Sequence, residues 1–190
     1  MEPHATVARW KGDRLTVWTA TQAISGAQQS LSTLFGNDPK DAHVICPYVG
    51  AGFGCKGNIW PPATLAAMAA KVAERPVKLV VTRAQMFTSN GYRPCTVQKL
   101  RFAADQQGHL VSMRHDGISQ MSQPVLGEFA EPVGLATEML YACPDVAVTH
   151  LLVATNAPLP TYMRAPGEAS GNFALESAIG AAGTSQFAFG

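Results

Sequence analysis

The chain has 190 residues, of which 47% are hydrophobic and only 14% are charged, and its formal net charge is +1. This composition excludes an intrinsically disordered chain, which has few apolar residues and high net charge, and no stretch approaches the ~20 continuous apolar residues of a transmembrane helix. The basic clusters of a nucleic-acid-binding surface are absent as well. We therefore expect a globular chain with neither a nucleic-acid partner nor a membrane partner.

The first half of the sequence predicts a β-hairpin, because apolar and polar residues alternate on both sides of the turn at residues 11–13. A helix follows, with apolar residues at helical spacing and Gly36 as its C-terminal signal. The next elements have the order β–loop–α–β, which is typical of a right-handed crossover between paired parallel strands. The predicted elements are strands 4–9 and 14–18, helix 22–35, strand 43–49, glycine-rich turn 50–57, helix 62–74 and strand 77–82.

The second half predicts another hairpin, in which alternating segments flank a polar turn at residues 105–108. A prolonged loop at 156–171 has three prolines and is expected to be rigid. The predicted elements are strands 97–103 and 110–116, a short helix or irregular segment at 133–141, strand 146–154 and a helix over 172–179. The predicted fold class is mixed α+β, built from β-hairpins and one β-loop-α-β unit.

The cysteines and histidines do not predict a protein-bound metal. No two cysteines form a CxxC pair, and no two histidines have the i, i+4 spacing of HExxH. Small buried cysteines are the usual outcome in such a chain. Cys55 beside Lys56 is the one cysteine in an electropositive setting, so it is the only candidate for a reactive thiol.

The glycine-rich turn at 52–57 fits the pattern GxGxxG between a strand and a helix. A dinucleotide site would use its backbone amides to hold a pyrophosphate. It also needs an acidic residue ~20 positions later, at the end of the second strand, but in this sequence that strand ends in Arg83. Lys56 follows Cys55 instead of glycine, which excludes a P-loop. Both a Rossmann-type nucleotide site and a tight structural turn remain open at this point.

Arg164 lies within the Pro- and Gly-rich segment Tyr-Met-Arg-Ala-Pro-Gly-Glu at 162–168. A stiff loop fixes the planar guanidinium, whose donors suit an oxyanion or a phosphate. The alternative is a structural arginine that joins the carbonyls of its own loop.

Four motifs occur in a recognisable order: Thr-Gln at 21–22, Gly-Ala-Gly-Phe-Gly-Cys-Lys at 50–56, Arg-Pro-Val-Lys-Leu at 75–79 and the Arg164 segment at 162–168. Together they resemble the molybdenum-cofactor-binding large subunit of the xanthine dehydrogenase/aldehyde oxidase family, and in particular its bacterial aldehyde oxidoreductases. The resemblance covers residues 1–178 and ends at the sequence that follows Ile179.

The resemblance implies a role for five residues. Gln22 is similar to the glutamine whose amide binds an apical oxygen on molybdenum, while Gly52, Phe53 and Gly54 match the loop whose backbone approaches the metal's ligands. Arg164 matches a loop arginine beside the cofactor and is the candidate catalytic cation. The metal is held by the pterin in this family, so no protein metal ligand is expected.

The resemblance also implies that the chain is a fragment. Residues 1–165 correspond to most of the first molybdenum-cofactor-binding domain, 166–179 to the start of the second, and 180–190 to a divergent, disordered tail. The family's catalytic glutamate lies downstream, since neither Glu168 nor Glu176 matches its motif. We therefore expect the isolated fragment to be inactive.

The implied reaction is oxidation of an aldehyde to a carboxylic acid, with water as the oxygen source. Gly57 and Pro132 stand where purine hydroxylases have Glu and Arg, which favours an aldehyde or aromatic substrate over a purine. The implied cofactor is molybdopterin with molybdenum, as the cytosine dinucleotide, and the implied partners are iron–sulfur and FAD subunits in the cytoplasm or periplasm. Alternatives are a non-catalytic pterin-binding or assembly module and a Rossmann-type nucleotide-binding domain.

Overall fold

The computed structural model describes residues 2–123 and 129–187, and the chain divides into two compact units, Met1–Tyr92 and Arg93–Gly190. Each unit has its own β-sheet and helices, so the predicted mixed α+β class is confirmed. Among the described residues, no helix has both the length and the apolar character needed to span a membrane. The assignment of 1–165 and 166–179 to two cofactor-binding domains stays a prediction.

The first unit contains a four-stranded sheet and three helices. Its predicted hairpin and its first two helices are confirmed, whereas a third helix was not predicted. That helix begins with a capping box, in which Thr82 and Gln85 bond each other's backbone N–H groups. The elements are β1 (Ala5–Lys11), β2 (Arg14–Thr19), α1 (Ile24–Phe35), β3 (Ala42–Ile45), α2 (Pro61–Val72), β4 (Val77–Val80) and α3 (Arg83–Ser89).

The predicted pairing between the two strands of the β-loop-α-β unit is wrong. The sheet order is β3-β2-β1-β4, so β3 and β4 occupy opposite edges and the hairpin lies between them. β3 pairs with β2 in parallel, and β4 pairs with β1 in antiparallel fashion. The two strands still run in the same direction, which is all that the local pattern of a crossover determines. The position of the hairpin between β3 and β4 depends on pairings between strands that are distant in sequence.

The core of the first unit lies between the sheet and helices α1 and α2. Alternate residues of the hairpin, such as Ala8, Leu15 and Val17, are completely buried, as the alternating pattern predicts. Helix α2 presents alanines to the sheet, and the indole of Trp10 donates to the Ala67 carbonyl at 2.8 Å. The core therefore holds β2 and β3 in place, and the chain continues from them to Gln22 and to the glycine-rich turn at 50–57.

The second unit contains a three-stranded sheet of order β5-β6-β7 and two helices. The predicted hairpin and third strand are confirmed, and β6 pairs with β5 in antiparallel and with β7 in parallel fashion. The elements are β5 (Thr96–Ala104), β6 (Leu110–Ser122), α4 (Leu135–Met139), β7 (Val146–Thr155) and α5 (Glu168–Phe187).

Helix α5 is longer than predicted at both ends. It begins at Glu168, inside the segment predicted as loop, and continues to Phe187, past Gly180 where the tail was expected to begin. Residues 188–190 of that expected tail lie outside the described residues.

A buried polar network joins the sheet of the second unit to its helices. The His115 ring is fully buried, and burial lowers its pKa, so the neutral form is favoured. The Gln98 amide donates to the Ser170 carbonyl and turns its oxygen toward His115 Nε2 at 3.0 Å. Nδ1 then accepts from the Thr137 hydroxyl at 2.7 Å. This chain of hydrogen bonds connects α4, β6, β5 and α5.

Close backbone contact between α5 and the segment before α4 depends on Gly171. A Cβ atom there would lie 2.9 Å from the Val133 carbonyl carbon and closer still to its oxygen. At Gly180, on the same helix, a Cβ atom would have no neighbour within 4 Å.

We predict that Gly171→Ala lowers the free energy of unfolding by about 1–3 kcal/mol, because backbone must move to admit the methyl group. The matched variant Gly180→Ala should leave stability unchanged or raise it by up to about 1 kcal/mol, since alanine is the better helix former. Urea unfolding of the two variants and the parent measures both changes. Equal effects at the two positions would contradict the packing described here.

Candidate functional site

The first candidate site is the glycine loop, which we define as residues 50–57 between β3 and α2. Its backbone adopts positive φ angles at Gly50 (65°), Phe53 (49°) and Gly54 (90°). A positive φ is uncommon for a residue with a side chain and is retained only where surrounding contacts determine it. The loop therefore has one defined backbone conformation, which includes left-handed residues.

Gln22 is bound to this loop through both its backbone and its side chain. Its N–H donates to the Lys56 carbonyl at 2.8 Å, and its Oε1 accepts from the Gly54 N–H at 3.0 Å. Only the amide oxygen can accept from an N–H, so this bond assigns the orientation of the carboxamide. The exposed Gln22 side chain therefore keeps its Nε2 donors without a partner among the described residues.

Gly52 permits the close approach between the glycine loop and Gln22. A Cβ atom at position 52 would lie 2.6 Å from Gln22 Oε1 and 2.9 Å from its Cδ. A side chain at position 52 would therefore displace the Gln22 carboxamide from its place against the loop. The following residue, Phe53, leaves its ring 44% exposed, and its N–H has no partner among the described residues.

The glycine loop is held from inside by Lys56. This side chain is 1% exposed, and its ammonium binds the Glu2 carboxylate and the Val49 carbonyl, the latter at 2.7 Å. Its own carbonyl accepts from both the Gln22 N–H and the Thr21 hydroxyl, at 2.8 and 3.2 Å. One buried residue thus joins the N-terminal segment, the loop and residues 21–22.

The two cysteines near the loop have structural settings. Cys46 Sγ exchanges hydrogen bonds with the Thr21 backbone, at 3.3 and 3.4 Å, beside Gln22. Cys55 is buried, and this burial raises the pKa of its thiol despite the neighbouring Lys56. A thiolate nucleophile at Cys55 is therefore disfavoured, because the thiolate is the reactive form.

The second candidate site is the arginine loop, which we define as residues 162–167 before α5. Arg164 is exposed, and its guanidinium has no hydrogen bond or ion pair with a described residue. Its backbone is fixed instead: Ala165 and Gly167 have positive φ angles of 57° and 82°. The Arg164 carbonyl accepts from Arg93 at 2.5 Å, and the Gly167 N–H donates to the buried carboxylate of Glu131 at 2.9 Å.

The structure brings together Gln22, Gly52 and Gly54 in the first unit and places Arg164 in the second. The Gly54 N–H is bonded to Gln22 in this structure, and the cofactor-binding roles of Gln22, Gly52, Phe53, Gly54 and Arg164 stay predictions. In the same loop, the Gly52 N–H bonds the Gly50 carbonyl. A Rossmann-type site needs β3 and β4 to pair side by side, and they lie at opposite edges of the sheet, so the Rossmann-type alternative is wrong.

Four residues of the site were not singled out from the sequence as loop anchors: Glu2, Lys56, Arg93 and Glu131. Their roles depend on contacts distant in sequence: Lys56 binds Glu2 across 54 positions, Glu131 binds Gly167 across 36, and Arg93 binds Ala165 across 72. Charged residues are rarely buried unless they are paired, and the sequence around a charged residue does not show which distant residue will pair with it.

The described residues contain no group of three or more His, Cys, Asp and Glu that could hold a metal ion. The donors near the glycine loop are instead an unused amide, Gln22 Nε2, and an unused backbone N–H, that of Phe53. Such groups bind acceptor atoms of a ligand rather than a cation. They therefore fit a cofactor that brings its metal already ligated.

Comparison with known proteins gives consistent matches. The family model of the molybdopterin cofactor-binding domain matches residues 1–185. The aldehyde oxidoreductase molybdenum-binding subunit PaoC of Escherichia coli K12 is 37% identical over 179 residues, covering 94% of this chain and 24% of that subunit. Quinoline 2-oxidoreductase from Pseudomonas putida 86 matches with a TM-score of 0.78 and 25% identity over 88% of this chain and 22% of that one.

The fold is shared as well with the aldehyde oxidoreductase from Desulfovibrio desulfuricans ATCC 27774, at a TM-score of 0.77 and 22% identity. That match covers 90% of this chain and 19% of the other. The chain thus spans about a quarter, or less, of the length of the relatives it matches.

The Lys56 ion pair gives a testable dependence on charge and pH. We predict that Glu2→Gln lowers the free energy of unfolding by about 1–2 kcal/mol at pH 7, less than for a fully buried pair because Glu2 is 47% exposed. The hydrogen bond from Lys56 lowers the pKa of Glu2, so the stabilisation is complete above the ordinary pKa of about 4.3 and is lost as the pH falls below it.

Urea unfolding of parent and variant between pH 7 and pH 3 measures this difference, which should shrink with falling pH. Glu74→Gln is the matched control, because that exposed carboxylate has no ion pair among the described residues. It should change stability by less than about 0.5 kcal/mol. A constant difference between parent and Glu2→Gln across this pH range would contradict the role given to the pair.

Proposed function

The chain belongs to the family of molybdopterin cofactor-binding domains, as its motifs predicted, and we propose that it is part of a molybdenum-binding subunit that oxidises aldehydes to carboxylic acids. The relative PaoC, 37% identical over 94% of this chain, is named for aldehyde oxidoreduction and supports this choice of substrate class. The glycine loop and the arginine loop are the parts of this chain that would bind the cofactor.

One observation carries the assignment of the glycine loop: Gln22 Oε1 is bonded to the Gly54 N–H, so the Nε2 donors face outward. A carboxamide held in one orientation donates to a ligand without first losing rotamer freedom. Phe53 contributes a second unused donor, its backbone N–H. Gln22 and Phe53 would hold acceptor atoms of the cofactor, while Gly52 leaves the space in which the glutamine lies.

The cofactor, when bound, supplies two-electron oxidation chemistry. The overall conversion is aldehyde plus water to carboxylic acid plus two protons and two electrons. The electrons would pass to iron–sulfur and FAD groups on partner subunits, and the pterin would be the cytosine dinucleotide form. The assembly would work in the cytoplasm or, on the export signal of a partner, in the periplasm.

Arg164 is the residue of this chain that we assign to charge stabilisation. Negative charge develops on the carbonyl oxygen when an aldehyde is attacked, and a fixed cation lowers the energy of that state. The Arg164 guanidinium is exposed and has no partner among the described residues, while its backbone is held rigidly. Its charge is therefore available to a substrate or a cofactor oxygen.

The residues at positions 57 and 132 support an aldehyde or aromatic substrate over a purine. Purine hydroxylases have Glu and Arg at the corresponding positions, whereas this chain has Gly57 and Pro132. Neither residue has a side-chain donor or acceptor with which to bind the polar edge of a purine.

We predict that Gln22→Ala in the full-length subunit lowers kcat/KM roughly 5- to 150-fold and leaves most of the molybdenum bound. Loss of one hydrogen bond to a bound ligand corresponds to ~1–3 kcal/mol. Steady-state kinetics with an aromatic aldehyde and elemental analysis of the purified variant measure the two quantities separately.

Gln29→Ala is the matched control, since Gln29 lies on the exposed face of α1 and its side chain bonds Thr33 of the same helix. It should retain both activity and metal. Complete loss of molybdenum from Gln22→Ala would mean that the residue is structural, and parent-like kinetics would mean that it does not contact the cofactor.

A further inference from the structure

We propose that Arg93 and Glu131 act together as positioning residues for Arg164, by holding the backbone of the arginine loop in a strained conformation. The proposal rests on the role for Arg164 given above and adds the residues that set its place. Arg93 is 29% exposed and Glu131 is fully buried, and the two form an ion pair.

Arg93 binds two successive carbonyls of the arginine loop. Its Nη2 donates to the Arg164 carbonyl at 2.5 Å, and its Nη1 donates to the Ala165 carbonyl at 3.3 Å as well as to Glu131. A planar guanidinium presents these donors in one fixed fork, whereas a lysine ammonium supplies a single mobile centre. The contact therefore requires arginine in particular, and charge alone does not replace it.

Glu131 holds the other end of the same loop. Its Oε1 accepts from Arg93, from the Gly167 N–H at 2.9 Å and from the Ser170 hydroxyl at 3.2 Å. Its Oε2 is buried and has no partner among the described residues. All the hydrogen bonds that stabilise this buried carboxylate are made to Oε1, so the loss of any one donor is costly. Loss of Arg93 would therefore disturb the bond from the Gly167 N–H as well.

The loop needs such restraint because its backbone is strained. Ala165 has a φ of 57°, in the left-handed region that residues with a Cβ atom rarely adopt. Arg93 binds the carbonyl of Ala165 itself and that of the preceding residue, Arg164. Strained residues persist where surrounding contacts determine them, and they concentrate where a functional group must be held. Without the Arg93 fork, the loop would relax and Arg164 would lose its fixed position.

A second ion pair of the same unit provides a comparison. Arg101 on β5 binds Asp116 on β6 at 2.9 Å, and its partner is also bonded by Arg114 and Thr149. These contacts join neighbouring strands and involve no residue of the arginine loop. Arg101→Lys thus changes the same chemical group without touching the proposed positioning pair.

The first test is hydrogen exchange in the full-length, cofactor-loaded subunit with Arg93→Lys. We expect exchange in the peptide 162–171 to become at least tenfold faster, while a peptide within β6, where the Met113 N–H bonds the Asp145 carbonyl, keeps its parent rate. Arg101→Lys should leave peptide 162–171 unchanged. An unchanged rate in Arg93→Lys, or an equal rise in both peptides, would overturn the proposal.

The second test is a double-mutant cycle on kcat/KM with Arg93→Lys and Arg164→Lys. If Arg93 acts through Arg164, the double variant should be no slower than Arg164→Lys alone. Multiplication of the two single effects would overturn the positioning role. Parent-like kinetics in Arg164→Lys, with faster exchange in Arg93→Lys, would instead refute the proposed function of Arg164 while leaving the loop restraint supported.

Discussion

The buried ammonium of Lys56 is the constraint on which the geometry of the glycine loop depends. A charge with 1% exposure is stable only when paired, and here Glu2 and the Val49 carbonyl supply its partners. The same residue offers its carbonyl to the N–H of Gln22 and the hydroxyl of Thr21. The buried Lys56 therefore fixes the start of the glycine loop through the Val49 carbonyl and the backbone of Gln22 through its own carbonyl.

The second unit uses the same arrangement with the charges reversed. There the fully buried residue is an anion, Glu131, and the half-buried partner is the cation Arg93. In each unit the buried charge binds backbone: Lys56 binds the Val49 carbonyl next to the glycine loop, and Glu131 binds the Gly167 N–H within the arginine loop. The side chain left exposed at the loop is Gln22 in the first unit and Arg164 in the second. Rigid backbone with an available side chain suits recognition of a ligand, since little conformational freedom is lost on binding.

Local patterns predicted most elements, because periodicity and caps act over a few residues. The hairpin β1–β2 and helix α2 follow from alternation and from proline at a helix start. Separation of β3 from β4 could not be predicted, since it depends on which distant strands pair. Motifs indicated Gln22 and Arg164, whereas the anchors Lys56 and Glu131 carry no local signal: their burial results from contacts made only in the folded chain.

We propose that the Gly54 N–H fixes the carboxamide of Gln22 so that its Nε2 is available to bind the cofactor. A crystal structure of the full-length subunit with its cofactor bound tests this most directly. We predict that Gln22 Oε1 stays within hydrogen-bond distance of the Gly54 nitrogen, as in the 3.0 Å contact of this structure, and that Nε2 is bonded to the cofactor. A structure in which Gly54 binds the cofactor and Gln22 is turned away would contradict it.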